Sequence, residues 1–193
     1  MNALNKKIVR DYIYHLETLE DFKEISSEAE GLFRNELKKV DEQALEALIP
    51  DENNKPKGED EIESVSFNDK KFKKLFRKLA VKCHPDKIGL ESDEDQVEFL
   101  KLQYERLNLA NDTYDWGLLL KVALDLKVEL IELDDEQINN IIDKIESYKK
   151  AIEKYEQSMA YQWYLKSGEE QQKYLQNCAA IFKMSLSKKS RPN

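Results

Sequence analysis

The sequence predicts an all-α fold, and three observations carry that prediction. Only 5 Gly and 4 Pro interrupt 193 residues, and Pro50, Pro56, Pro85 and Pro192 leave residues 1–49 and 86–191 free of helix breakers. Apolar residues recur at spacings of three and four along most of the chain, the period of a helix with one buried face. Runs rich in Val, Ile and Thr bounded by turn signals, the mark of strands, are missing.

Residues 1–49 form an N-terminal helical segment, read as one or two amphipathic helices over 3–49. Ile8, Tyr12, His15, Leu19 and Phe22 line one face. Ser26 and Ser27 stand before acids and are candidate caps for a second helix, with Leu32, Phe33, Leu37, Val40, Ala44 and Leu48 as its stripe and Pro50 as its end. Residues 50–65, dense in charge and holding Pro50, Asn53, Asn54, Pro56 and Gly58, read as an acidic linker.

Residues 66–129 form the central core. A helix is predicted over 69–83, with Asn68 as N-cap and Phe72, Leu75, Phe76 and Leu79 as the buried stripe. A loop over 84–92 follows, and Ser92 or Asp93 caps a helix over about 93–115. Leu100, Tyr104, Leu107 and Asn111 mark one of its faces, and Leu107, Ala110 and Tyr114 an adjacent one. Gly117 allows a bend before LLLKVALDL, residues 118–126, a short apolar helix that needs a partner to bury against.

Residues 130–184 form a C-terminal helical segment headed by Asp134 or Asp135. Ile138, Ile141, Ile145, Tyr148, Ile152, Tyr155 and Met159 make a heptad seam. The seam is open to two uses: packing within the chain against residues 3–48, or joining two chains. Matching stripes in the two segments favour the first. Tyr161, Trp163 and Tyr164 are expected in a core, Gly168 as a C-terminal cap, a last helix over 169–184 and a basic tail over 185–193.

Charge narrows the function classes. The chain carries a formal charge of −8, which argues against a general nucleic-acid binder. Lys70, Lys71, Lys73, Lys74, Arg77, Lys78, Lys82 and Lys87 face one acid, Asp86, so residues 70–87 are +7 and the remainder is −15. A basic patch on an acidic chain points to a specific acidic partner. Cys83 and Cys178 form no paired framework, and the adjacent Cys83 and His84 lack metal-ligand spacing. No apolar signal core and no stretch approaching the ~18 apolar residues of a membrane span are found. A cytoplasmic chain with no membrane partner and no cofactor is expected. No Gly-rich phosphate loop or nucleophile elbow suggests an enzyme.

The informative unit is KKFKKLFRKLAVKCHPDK, residues 70–87. It resembles helix II and the following loop of the J-domain (DnaJ-like) co-chaperone family. There a basic helix leads into a His-Pro-Asp loop, and an apolar helix returns antiparallel. Phe72, Leu75, Phe76, Leu79 and Ala80 take the apolar places, Lys73, Arg77, Lys78 and Lys82 basic ones, and His84, Pro85 and Asp86 the signature. Residues 110–129, ANDTYDWGLLLKVALDLKVE, are similar to the end of helix III and the segment after it in short bacterial and phage J proteins. The helix I motif is not found just before residue 68, so helix I is either absent or supplied by 28–49. Neither a Gly/Phe-rich segment nor Cys-x-x-Cys repeats follow.

The resemblance implies a J-domain-like antiparallel helical pair, flanked by N- and C-terminal helices packing in coiled-coil fashion. It implies docking on a DnaK-class heat-shock ATPase through His84, Pro85, Asp86, Lys73, Arg77, Lys78, Lys82 and Lys87. The basic helix would steer the encounter with an acidic face. Asp86 would pair with an arginine of the ATPase, and docking would favour its hydrolysis-competent state. A client protein, or self-association through the C-terminal helix, are further partner expectations. Two alternatives remain beside stimulation: a non-stimulating decoy that redirects a chaperone, and a helical assembly protein with a relic J-like core.

Overall fold

The computed structural model describes residues 3–42, 69–84 and 93–189. Among them are seven helices and no strand: α1 (Ala3–Val40), α2 (Lys70–Cys83), α3 (Glu94–Asp112), α4 (Trp116–Asp125), α5 (Asp135–Glu156), α6 (Met159–Tyr164) and α7 (Gly168–Lys189). The all-α expectation holds. The acidic linker over 50–65 and the expected cap Asn68 lie outside the described residues, as do Ala44, Leu48, Pro50 and Ser92.

Helix boundaries follow the local chemistry. Asp69 caps α2, its Oδ1 accepting from the Lys71 and Phe72 N–H groups at 2.8 and 3.1 Å. Asp115 caps α4 by accepting from the Leu118 N–H at 2.9 Å. A capping box opens α5: the Gln137 N–H donates to Asp134 Oδ1 at 3.2 Å, and the Asp134 N–H donates to Gln137 Oε1 at 3.1 Å. Asp93 heads α3 without a side-chain cap bond.

α3 and α4 both end in the same backbone motif. The Asp115 N–H donates to the Ala110 carbonyl at 2.9 Å and the Tyr114 N–H to that of Asn111 at 3.4 Å; Val128 and Lys127 repeat this on Ala123 and Leu124 at 2.7 and 3.0 Å. The residue that such a motif places in the left-handed region is Tyr114 (φ 49°) in one and Lys127 (φ 53°) in the other. Neither is the glycine that a sequence search for helix ends looks for.

The chain divides between Glu17 and Thr18, and again between Lys149 and Lys150, into two compact units. In the first, Val9 and Tyr12 of α1, Phe72, Leu75, Leu79 and Cys83 of α2, Leu107 and Ala110 of α3, all of α4 from Trp116 to Ala123, and Ile141 and Ile145 of α5 form one core. α2 and α3 run antiparallel. The start of α2 meets the end of α3 through Phe72 and Tyr114, rings 5.1 Å apart, and its end meets the middle of α3 through His84 and Tyr104, 5.4 Å apart. Lys121, buried on α4, pairs with Glu17 at 3.3 Å and Asp125 at 3.4 Å.

In the second unit, Ala29, Phe33 and Leu37 of α1 pack with Ala160 and Trp163 of α6 and Leu175, Cys178 and Ala179 of α7. Phe33 meets Trp163 edge to face at 5.6 Å, and Lys183 pairs with Asp41.

Several expectations are corrected. α1 runs unbroken through Ser26 and Ser27; Ser26 is buried on the stripe that leads from Leu19 to Ala29, Phe33 and Leu37, so it continues the helix rather than capping a new one. Leu32 and Val40 lie off that stripe and are exposed. The seam from Ile138 stops at Glu156. Ser158 starts α6 by accepting from the Tyr161 N–H at 3.2 Å, so Met159 sits on another helix, exposed. Asn111 is exposed, whereas Gln103 is buried. Gly168 (φ 54°) heads α7 instead of closing α6, and α7 continues to Lys189, past the expected start of a tail. Trp163 is buried as expected, while Tyr161 and Tyr164 are half-buried.

Candidate partner-binding site

The site is α2 and its C-terminal end. Buried Phe72, Leu75, Leu79 and Cys83 fix one face of the helix against the core. That leaves Lys70, Lys71, Lys73, Lys74, Arg77, Lys78 and Lys82 exposed, with no acid on the helix to offset them. The apolar spacing of three and four thus fixes the charged face as well.

His84 is the C-cap of α2. Its backbone is extended (φ −62°, ψ 135°), its N–H donates to the Ala80 carbonyl at 2.9 Å, and its ring stands edge-on to Tyr104 at an interplanar angle of 77°. Extended backbone before a proline is what the proline ring enforces. The half-buried imidazole is therefore oriented from both sides, by the helix end and by α3. Pro85, Asp86 and Lys87 lie outside the described residues.

At the other end of α2, Asp69 is a junction. Besides capping the helix it accepts from the Tyr114 hydroxyl through Oδ2 at 2.9 Å. Burial works to raise its pKa, but the bonds from the Phe72 N–H, the Tyr114 hydroxyl and the Lys71 N–H outweigh that and hold it below the usual carboxylate value. Tyr114 is gripped through its backbone too: its carbonyl accepts from Asn140 Nδ2 at 3.1 Å, and Asn140 Oδ1 accepts from the Trp116 N–H at 3.1 Å. α5 thereby holds the corner between α3 and α4, which in turn holds the start of α2.

A buried polar centre lies behind this corner. The Tyr12 hydroxyl donates to Asp115 Oδ2 at 2.9 Å and lies 2.9 Å from the Tyr148 hydroxyl. Burial, then the Asp115 carboxylate and Tyr148, push the Tyr12 phenol far above its ordinary pKa, so it remains a donor. Cys83 is buried, and burial raises its pKa, which suits packing rather than thiolate chemistry. His15, expected to be structural, lies 3.7 Å from Asp11 one turn away.

Sequence reading missed the segment after α4. It returns alongside α2: Lys71 pairs with Asp134 at 2.9 Å, and Lys82 Nζ lies 3.4 Å from the Leu126 carbonyl. Between them is a groove of about 360 Å³ lined by Lys71, Lys74, Leu75, Lys78, Ile131 and Glu132. The only hint in the sequence was the density of acids from Glu129 to Glu136. Of the residues expected to bind a partner, Lys73 and Arg77 stand clear of this segment, Lys78 lines the groove and Lys82 touches its start.

Among the described residues no group of three or more His, Cys, Asp or Glu side chains is placed to hold a metal ion, and no helix is long and apolar enough to cross a membrane. No family model, curated protein or solved structure matches the chain.

Proposed function

We propose that this chain is a J-domain co-chaperone that docks on a DnaK-class heat-shock ATPase and stimulates its ATP hydrolysis. The observation that carries the reading is His84 at the cap of a helix whose charged residues are all basic, with α3 returning antiparallel beneath it. In this reading α1, through Val9 and Tyr12, would take the place of the family's first helix, since Ala29, Phe33 and Leu37, from the segment expected to do so, belong to the other core.

In this reading the chain performs no chemistry. The basic face accelerates and orients the encounter with an acidic surface. His84, Pro85 and Asp86 then contact the ATPase, Asp86 through a charge-assisted pair with arginine. Docking binds the hydrolysis-competent conformation more tightly than the other and so shifts the population toward it. Cytoplasmic location fits such a partner, and the remaining helices select location or client.

The test is single-turnover ATP hydrolysis by a DnaK-class ATPase with the wild-type chain and with His84→Gln. Stimulation by wild type that is lost in the variant supports the reading. Docking without stimulation would replace it with the decoy role, and absence of docking to several such ATPases would reject it.

A further inference from the structure

The cations of α2 do not form one uniform patch. A helix turns by about 100° per residue. Lys71, Lys74, Lys78 and Lys82, spaced three, four and four apart, therefore share one row, and Lys70, Lys73 and Arg77 share a second. The first row flanks the buried stripe on the side where the segment from Leu126 to Asp134 returns. The second points nearly opposite the stripe, and His84 follows its last member, Arg77, by about two turns.

The returning segment engages the first row at both ends. Asp134 takes Lys71 at one end, and the Leu126 carbonyl lies within reach of Lys82 at the other. Between these points Glu129 and Glu132 form the far wall of the groove whose near wall is Lys71, Lys74 and Lys78. Asp134, Asp69 and Glu132 all act on Lys71 in the direction of holding its proton more tightly. Among the described residues Lys71 is the one cation of α2 in an ion pair, Lys74 and Lys78 line the groove, Lys70 borders a second pocket with Asp134 and Glu136, and Lys73 and Arg77 line neither.

We propose that the acidic segment Glu129–Asp134 masks one row of α2, so that the acidic face of the partner reads Lys73 and Arg77 on the way to His84. The proposal rests on the J-domain reading for the identity of the partner. The masking itself is a property of this chain alone. It narrows a broad positive face to a single line of charge that ends at the cap histidine. Such a line sets the register of an approaching surface, where a broad patch would only attract it. A partner with a matching line of acids is selected over one that is merely acidic.

Two experiments separate the masking from the reading it rests on. The first needs no partner. Lysines of the native full-length chain are acetylated with a limiting amine-reactive reagent, and site rates are read by mass spectrometry. Lys73 is expected to react several-fold faster than Lys71. Glu129→Gln with Glu132→Gln and Asp134→Asn should raise the Lys71 rate toward that of Lys73. Equal rates in the wild-type chain would overturn the masking.

The second compares two variants that each remove two positive charges: Lys73→Gln with Arg77→Gln, and Lys71→Gln with Lys74→Gln. Association with a DnaK-class ATPase in its ATP state is followed across ionic strength. The outer-row pair is expected to slow association on the order of tenfold at low salt and to flatten its salt dependence, whereas the masked-row pair changes it less than about twofold. If His84-dependent docking is intact and both pairs slow it equally, the choice of row is wrong while the co-chaperone reading stands. If no docking occurs, the partner assignment fails together with the use proposed for the outer row, and the acetylation rates still decide the masking.

Discussion

Replacing Gly117 with Ala should destabilise the chain, although the same change in a helix ordinarily stabilises it by about 0.5–1 kcal/mol. A methyl at residue 117 would lie 2.3 Å from Cδ2 and Cε2 of Tyr12 and 2.6 Å from its Cγ. Carbon atoms rest at about 3.5–4.0 Å, so the ring must retreat by roughly 1 Å or more. It cannot do so freely, because Tyr12 is fully buried and its hydroxyl is held by Asp115 and Tyr148, each at 2.9 Å. Overpacking costs about 1–3 kcal/mol, and disturbing a hydrogen bond to a charged group adds about 1–2 kcal/mol. The expected loss is about 3 kcal/mol, which at a urea slope of about 2 kcal/mol/M lowers the midpoint by roughly 1.5 M. The assay is urea unfolding followed by tryptophan emission in a Trp163→Phe background. There Trp116, the other of the two tryptophans, reports from beside the substitution. Adding Tyr12→Leu should remove the clash, so that Gly117→Ala then costs less than about 0.5 kcal/mol, a strong positive coupling between the two sites. A Gly117→Ala chain as stable as its parent, or a strictly additive double variant, would refute the steric argument.

Asp69→Ala should cost about 1–2 kcal/mol, since the α2 cap goes and the Tyr114 hydroxyl loses its acceptor. The folded pKa of Asp69 lies below its unfolded value. Its contribution is therefore fully present above the unfolded carboxylate value of about 3.9, and is lost as pH falls through the folded one. Stability measured by urea titration from pH 5 to pH 2 should accordingly fall less steeply in the variant than in wild type. Lys127→Gly should stabilise by about 1 kcal/mol, because an exposed lysine there occupies the left-handed region that glycine enters without steric cost; a thermal midpoint that stays put or falls would count against it.

The parts of the fold legible in the sequence were those set by local periodicity. α2 could be placed within a residue because Phe72, Leu75 and Leu79 are spaced for one face; the cap expected at Asn68 falls instead on Asp69, whose carboxylate accepts from the Lys71 and Phe72 N–H groups. The same logic failed where a residue type has two uses. Ser26 resembles a cap but lies on the buried stripe, and a small polar residue on a long stripe interrupts nothing. The seam from Ile138 to Met159 looked continuous because its spacing is continuous, yet Ser158 captures the Tyr161 N–H and restarts the helix. Hydrophobic period cannot register that competition, because it lies in a hydroxyl–amide bond.

The site divides along the same line. Its charge and its histidine stand in one contiguous stretch, so reading along the chain finds them. What shapes them comes from far away in sequence: Tyr104 against His84, Tyr114 on Asp69, Asn140 on the Tyr114 backbone, and Asp134 on Lys71. Each joins a side chain on one element to a group at the end of another. Such pairs are invisible to composition, because an acid 63 residues from a lysine looks like any other solvated charge until the corner that brings it back is known. The two left-handed corners at Tyr114 and Lys127 bring it back, and neither carries the glycine that would have announced it. Sequence therefore exposes the cations of α2 as one group, and only the returning segment divides them. Under the proposed masking, the number of α2 cations that a partner meets is set at the α4–α5 connection, some forty-five residues beyond the helix that bears them.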